Sequence, residues 1–405
     1  MRNMDRTSWL GVIVCVTLLF VWGWWNAKET ARQLAEQAEA AKNAPPVEQV
    51  EPGSGKTDSG NKTETTPAGT PAAEVDPSAV ALEEITLSNE VVTYHLTNKG
   101  ASIETVELKE HNRHLDPADG KITINRTSKN GIGALSPAPG QFDQSIWTVV
   151  SKDSSQVTFA TDTPDKLHIE KTYRLAADGT DPYEILLEIS IRNDTGTPIQ
   201  TGKRFLYAGA AGPLHLNEWS MQIGFYWMDG TEFESKNVDH FGGKKVMGIF
   251  GKDKIPHDEF TVESVQWAGV NDQFFTTLIK PETPYAATLW ASRYPVVVEN
   301  NPEESEKKKM SAAEAALGLP DLAMNPGDKS TLQYRIYTGP KEYSRLASYD
   351  DERRRVMNYD QIPIFGWMFG WAIKPLASIL IWGLVHLKGV VGGYGAAIIL
   401  ITILI

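Results

Sequence analysis

Residues 183–192, with the sequence YEILLEISIR, decide the fold class of this chain. Every second side chain is apolar, and most of those between are polar or charged. The apolar positions are Tyr183, Ile185, Leu187, Ile189 and Ile191, and the polar positions are Glu184, Glu188, Ser190 and Arg192. A period of two indicates a strand with one face in a core and the other in water, as in antiparallel sheets.

The same alternation recurs at residues 167–175 and 332–336, and turn signals separate such stretches. The clearest signals are Asp178-Gly179, the run at 193–196 and Asp229-Gly230. Many short strands with few helical stretches predict a mainly β fold, a large antiparallel sandwich that we place at residues 81–340. The main helical candidates are residues 311–317 and 341–357, the second lying in a connecting helix at 341–361.

The N-terminal segment is predicted to be a membrane anchor. No charged residue occurs in the 21 residues between Arg6 and Lys28. A helix of that length reaches about 31 Å, the thickness of the hydrocarbon layer. The tryptophans at its two ends suit the aromatic belts of a bilayer, and they are Trp9, Trp22, Trp24 and Trp25.

Arg2 and Arg6 place the N-terminus of this anchor, residues 1–27, in the cytoplasm. A cleaved signal peptide is the alternative, but a long apolar run ending in tryptophans disfavours it. Residues 28–80 are predicted to be a tether. Its first part is rich in Ala, Glu and Gln and can be helical, whereas 43–80 is rich in Pro and Gly and is expected to be disordered.

Residues 362–390 are apolar but are not a simple spanning helix, because Lys374 and Pro375 interrupt them. A lysine in mid-bilayer costs roughly 3 kcal/mol. Small or polar residues recur every four positions at Gly366, Gly370, Lys374 and Ser378. This pattern predicts an amphipathic helix in the membrane interface. Its expected interface residues are Trp367, Trp371, Lys374 and Trp382.

A second apolar run follows, and residues 391–405 are predicted to start a second spanning helix in a truncated chain. Ten residues at 396–405 are too few, since a span needs about 20. The arginines at 353–355 would ordinarily favour the cytoplasmic side, which opposes a periplasmic β domain.

Composition and motifs exclude several functions. The net charge of −12 disfavours a nucleic-acid partner, and the basic runs at 307–309 and 353–355 are predicted to be solvated surface. The single cysteine, Cys15, lies in the anchor and excludes an intrachain disulfide. The run Gly131-Ile132-Gly133 lacks the third glycine of a phosphate loop.

Two pairs of residues that contain histidine are better explained as surface groups than as metal-binding or catalytic groups. His111 and His114 have metal-ligand spacing but no further ligand nearby in the sequence, and His168 with Glu170 could form an acid–base pair on one strand face. A solvent-facing ladder is the simpler reading of that second pair. The sequence therefore predicts no catalytic residue, no cofactor and no metal site.

Three stretches, taken in order, carry a resemblance to the bacterial YidC membrane protein insertases. They are LSNEVV at 87–92 with TNKGASI at 97–103, WAGVNDQFF at 267–275 with Pro281, and Gly339-Pro340-Lys341 with IFGW at 364–367, Lys374-Pro375-Leu376 and GYGAAIILIT at 393–402. The resemblance covers the whole chain, from the anchor through the tether and β domain to the second span.

The resemblance implies a periplasmic super-sandwich, a periplasmic interfacial helix and a five-span core whose groove arginine would follow Ile405. It implies an inner-membrane insertase or chaperone that acts on nascent membrane-protein segments, with lipid and the Sec translocon as partners. Super-sandwiches also occur in carbohydrate-binding proteins, so a membrane-anchored carbohydrate-binding or mutarotase-like protein is the alternative.

Overall fold

A computed structural model describes residues 81–114, 116–177, 180–246, 250–252, 254–299, 307–358 and 366–404. The predicted anchor at 1–27, the tether up to residue 80 and the turn signal at 178–179 lie outside these residues.

The described chain is mainly β-strand, as predicted. The strands are β1 (Glu84–Ser88), β2 (Val92–Thr97), β3 (Ser102–Asn112), β4 (Lys121–Ile124), β5 (Leu135–Ser136), β6 (Thr148–Lys152), β7 (Gln156–Asp162), β8 (Leu167–Leu175), β9 (Glu184–Asn193), β10 (Ile199–Gln200), β11 (Phe205–Ala211), β12 (Gly224–Asp229), β13 (Glu232–Asn237), β14 (Lys244–Val246), β15 (Phe250–Lys252), β16 (His257–Asn271), β17 (Phe275–Pro281), β18 (Tyr285–Glu299), β19 (Lys307–Gly318), β20 (Ala323–Met324) and β21 (Lys329–Pro340).

Helices are few and most of them follow the strands. The α-helices are α1 (Tyr343–Leu346), α2 (Gly366–Val391) and α3 (Tyr394–Leu404). Short 3₁₀ helices occur at Pro117–Asp119, Ser220–Gln222, Val238–Phe241 and Arg353–Met357.

The strands pair antiparallel in one large and one small sheet, with two short ribbons. The large sheet has 13 strands and runs β5-β11-β19-β18-β16-β17-β21-β9-β8-β7-β6, with β12 on β16 and β13 on β12. The small sheet is β1-β2-β3-β4. One continuous hydrophobic cluster takes side chains from both, including Leu87 and Ile103 from the small sheet and Ile189 and Trp267 from the large one. The sandwich core therefore lies between them.

The alternation in residues 183–192 predicts the core face of β9 correctly. Ile185, Leu187, Ile189 and Ile191 are at most 1% exposed. The opposite face is less exposed than predicted, because Glu184 and Ser190 are also buried. Glu184 is buried because the side chain of Arg353, from the 3₁₀ turn at Arg353–Met357, pairs with it.

The predicted turn at Asp229-Gly230 joins β12 to β13. Asp229 pairs with Glu232, which leaves a two-residue loop between the strands. Gly230 has a φ of +54°, a conformation that a glycine adopts without steric cost.

The prediction of a helix at 311–317 is wrong, since these residues lie in β19. The stretch is rich in alanine, which favours helices intrinsically, but propensity yields to tertiary context. Here β19 is paired on both sides, with β18 and β11. Ala312, Ala313, Ala315 and Ala316 are at most 1% exposed. Small side chains suit a strand that neighbouring layers approach closely.

The connecting helix predicted at 341–361 is replaced by two short pieces. Helix α1 ends at Leu346, and a 3₁₀ turn spans Arg353–Met357. Glu352 and Asn358 have left-handed φ values of 59° and 49°, which interrupt helical geometry. Residues 359–361 lie outside the described chain. This connector is shaped by contacts with the large sheet rather than by its own helix propensity.

Candidate functional site

Helices α2 and α3 form an antiparallel hairpin at the C-terminal side of the described chain. Gly392, between them, has a φ of +76°, and its N–H donates to the Lys388 carbonyl (2.9 Å). This is the left-handed glycine that commonly ends a helix. The helices approach closely near Gly383, where an added Cβ would lie 3.9 Å from Ile401 Cδ1.

The outer surface of this hairpin is apolar and uncovered. Its exposed large side chains are Ile379, Trp382, Val390, Tyr394, Ile398, Ile399 and Leu400. Several are more exposed than buried, with Val390 82% and Ile399 63% exposed. Apolar surface concentrated in this way usually marks contact with a membrane or a partner.

The polar groups of the hairpin pair with its aromatic rings. Trp382 packs on His386 with ring centroids 4.2 Å apart, and the Lys388 ammonium lies 4.3 Å from the Tyr394 centroid. Residues 361–405 contain no Asp or Glu, although the whole chain carries a charge of −12. Aromatic and basic residues without acids suit the headgroup level of a bilayer.

The predicted interface residues are located only in part. Trp382 is 58% exposed on the hairpin surface. Trp367, Trp371 and Lys374 lie in the first half of α2, where the structure describes the backbone alone. The four tryptophans predicted at the anchor ends, Trp9, Trp22, Trp24 and Trp25, fall outside the described residues.

No helix among the described residues is both long and apolar enough to cross a bilayer. Helix α2 has 26 residues and α3 has 11.

A buried ion-pair network holds the connector, residues 341–358, on the large sheet. Arg353, 1% exposed, donates from Nη1 to Glu184 Oε1 (2.6 Å) and from Nε to Asp351 Oδ2 (3.0 Å). Lys280 Nζ donates to the same Asp351 oxygen (2.7 Å). The guanidinium also stacks 3.8 Å from the Tyr349 ring centroid. The prediction that the run at 353–355 is all solvated surface is therefore wrong for Arg353.

Lys171 is a buried cation that the strand pattern of 167–175 did not reveal. It lies on the core face of β8, and its Nζ donates to the carbonyls of Gly100 (2.7 Å), Ala101 (2.9 Å) and Gly133 (2.8 Å). Burial lowers its pKa to about 7, while three carbonyl acceptors favour the ammonium form with its three N–H donors. Lys171 therefore ties the small sheet to the large one.

A second buried polar group lies where the loop at 212–219 meets the β16–β17 turn. Glu218 Oε1 accepts from the amides of Leu214 (2.6 Å) and His215 (2.9 Å). Burial, and next the charge of Asp272, raise the pKa of Glu218 to about 7. Burial also raises the pKa of Asp272 to about 6. Both carboxyls therefore titrate near neutral pH.

The histidine candidates occupy structural positions. His168 Nδ1 lies 2.7 Å from Asp162 Oδ1 across the β7–β8 pair, and its Nε2 lies 3.6 Å from Glu170 Oε1. This is the predicted ladder. Asp194 lies close enough to Asp162 and His168 for the three side chains to bind a cation together. Its carboxylate, however, already accepts hydrogen bonds from Arg192 (2.5 and 2.8 Å). His111 packs edge-on against Phe275, with centroids 5.4 Å apart.

Comparison with known proteins identifies a family. The family model described as the YidC periplasmic domain matches residues 84–380. The chain is 21% identical over 414 residues to the membrane protein insertase YidC of Pelobacter propionicus, covering 99% of this chain and 66% of that protein. It is 23% identical over 326 residues to the insertase YidC of Geobacter sulfurreducens, covering 76% and 52%. The chain thus spans between about half and two thirds of the length of these relatives.

Solved structures resemble the sandwich only loosely. A galactose mutarotase related enzyme from Lactobacillus acidophilus has a TM-score of 0.41 and 10% identity, covering 64% of this chain and 97% of that one. A putative aldose 1-epimerase from Escherichia coli K12 has a TM-score of 0.37 and 11% identity, covering 64% and 100%. Likeness at this level carries no argument about function.

Proposed function

This chain belongs to the YidC family, and on that premise we propose that it is part of a membrane protein insertase. The proposed activity is to assist the insertion, folding and assembly of integral proteins of the inner membrane, alone or with the Sec translocon. Its proposed partners are nascent membrane-protein segments and membrane lipid.

The observation that carries the proposal is the uncovered apolar surface of the α2–α3 hairpin. Seven large apolar side chains are exposed among residues 379–402, the part of the hairpin whose side chains the structure describes, and no acidic residue interrupts them. In water such a surface would be costly, at about 25 cal/mol for each Å² of apolar area. Against lipid the same surface is favourable, and Trp382, Lys388 and Tyr394 can remain at the headgroup level.

The proposed activity needs no bond chemistry. An incoming apolar segment moves from water into lipid, and its free-energy change comes from transfer of apolar surface. The protein must provide a site where the segment can move from water into lipid before all of its backbone hydrogen bonds have formed. We infer that α2 lies on the periplasmic membrane face and braces the start of the membrane core, and that the protein is not an enzyme.

The proposed membrane topology follows from the position of α2 on the periplasmic membrane face. The N-terminal anchor places its first residues in the cytoplasm, and the β domain lies in the periplasm. A count of positive charges along the sequence would treat Arg353 as evidence against this orientation. In the structure, Arg353 forms ion pairs with Glu184 and Asp351 inside the domain.

The test is insertion of a short single-span client by the full-length protein in proteoliposomes. Deleting residues 87–330 should reduce insertion far less than the pair Ile379→Asp and Trp382→Asp on α2. Glu188→Lys, on the outer face of β9, is the matched control and should leave insertion unchanged. If the deletion abolishes insertion while the α2 variant inserts normally, the sandwich is the working part and the proposal is wrong.

A further inference from the structure

Two exposed aromatic side chains mark one end of the sandwich. Among the described side chains of residues 81–358, Trp219 is 65% and Phe274 is 43% exposed, whereas every other aromatic ring is buried or half-buried. Large aromatic side chains are enriched at protein interfaces and at membrane surfaces.

Trp219 and Phe274 lie on two loops that meet. Trp219 directly follows Glu218, and the carboxylate of Glu218 interacts with that of Asp272 in the β16–β17 turn. The His215 ring lies 6.4 Å from the ring of Phe274, centroid to centroid. Arg113 and His114, on the segment after β3, lie close enough to His215 to help lower its pKa, after the larger effect of burial. The aromatic end therefore has the cation Arg113 beside it, together with the carboxyls of Glu218 and Asp272.

This end of the sheet is also where the chain leaves for the hairpin. The Lys341 amide donates to the Phe274 carbonyl (2.8 Å), so the connector starts beside Phe274. Its last described residue, Asn358, donates to the Tyr226 hydroxyl (3.1 Å). Tyr226 pairs with Gly269, two residues before Asn271 at the end of β16. Measured along the strands, Tyr226 therefore lies only about 7 Å from the end of β16.

Chain length then limits how far this end can lie from the bilayer. Between Asn358 and Gly366, where α2 begins, eight chain steps span at most roughly 29 Å. If α2 lies in the membrane interface, as proposed above, the sheet end with Trp219 and Phe274 is held near the same surface.

We propose that Trp219 and Phe274 form a second membrane contact, inserting into the lipid interface and orienting the sandwich with this end towards the bilayer. The occupant is a bilayer containing anionic phospholipid, because tryptophan and phenylalanine partition into the interface and the neighbouring Arg113 favours negative headgroups. This inference rests on the proposed interfacial position of α2.

The experiment measures lipid contact one site at a time. The chain is prepared with Cys15→Ser and a single new cysteine at Gln273, which neighbours Phe274 and is exposed. A small fluorophore on that cysteine is measured in vesicles of phosphatidylethanolamine and phosphatidylglycerol that carry a lipid-borne quencher. Lys329→Cys is the control, since Lys329 is exposed and lies at the far end of β21 from Pro340, which pairs with Phe275. Trp382→Cys reports on the hairpin itself.

The label at 273 should lose most of its fluorescence, the label at 329 should keep it, and the pair Trp219→Ser and Phe274→Ser should restore it at 273. Quenching at 382 without quenching at 273 would overturn the second contact and leave the proposed function intact. Absence of quenching at 382 as well would overturn both. Crosslinking of a client at 273 without lipid quenching would identify a protein-docking surface and also overturn the inference.

Discussion

The sandwich and the α2–α3 hairpin use apolar side chains in opposite ways. Residues 81–358 expose only scattered large apolar groups, at Leu82, Ile146, Val150, Trp219, Phe274 and Val297. The hairpin exposes more of them within residues 379–402, where its side chains are described. A strand that alternates buries one face against protein, whereas a helix that is apolar around most of its circumference needs an apolar solvent. The contrast supports the proposal that water surrounds the sandwich and lipid the hairpin.

The largest expected effect is a charge in the sandwich core. Ile189→Asp should lower the free energy of unfolding by about 4 kcal/mol or more, because an unpaired carboxylate would replace a buried side chain. Urea denaturation followed by circular dichroism measures it. Glu188→Lys, one residue away on the outer face, should change the stability by less than about 0.5 kcal/mol. Equal midpoints for the two variants would mean that the faces of β9 are reversed.

Next in size is the buried ion pair that fastens the connector. Arg353→Met should cost about 3 kcal/mol, since the buried Glu184 would keep only its longer contact with Arg335 (3.9 Å). Arg354→Met is the matched control, because Arg354 pairs with Glu352 at the exposed surface (2.8 Å) and its loss should cost little. The double variant Glu184→Met with Arg353→Met should recover part of the loss. If Arg353→Met and Arg354→Met prove equally mild, the connector is not held by this network.

Glu218 gives the stability of the sandwich a pH dependence. Its folded pKa of about 7 lies above its ordinary value of 4.5, so the folded state binds the proton more tightly. The resulting stabilisation is complete below about pH 4.5 and is lost as the pH rises through 7. Relative to Glu218→Gln, the protein should therefore lose about 3 kcal/mol between pH 4.5 and 8, measured by urea unfolding. A constant difference across this range would contradict the raised pKa.

The smallest expected effect on folding comes from the hairpin surface. Ile398→Asn and Ile399→Asn remove exposed apolar groups, so the urea midpoint of the sandwich in detergent should stay within experimental error. A fall comparable to that of Ile189→Asp would show that protein, not lipid, covers these side chains.

Sequence periodicity predicted the sandwich well because its signal is local. In β9 the period of two identifies the buried face from ten residues alone. The same reasoning failed at β19, where an alanine-rich run has helical propensity and only pairing with β18 and β11 makes it a strand. Local patterns do not report such long-range partners.

The polar residues of the core could not be found from the sequence for a related reason. Lys171 interrupts an apolar face and looks like a pattern error, yet carbonyls about 70 residues earlier in the chain satisfy it. Arg353 stands in a basic run, but its partner Glu184 is 169 residues away. Sequence spacing gave no sign of either pairing. The apolar run at 362–390 and its interface residues remain predictions about the membrane.

The central claim is that the hairpin is covered by lipid, whereas the sandwich, apart from the proposed contact at Trp219 and Phe274, is covered by water. It is tested most directly by the reactivity of single cysteines, in a Cys15→Ser background, towards a membrane-impermeant maleimide in proteoliposomes. Cysteines at Val390, Ile398 and Leu400, all exposed apolar positions of the hairpin, should react slowly, and cysteines at Glu188 and Val297 of the sandwich should react fast. Equally fast reaction at both sets of positions would contradict the account.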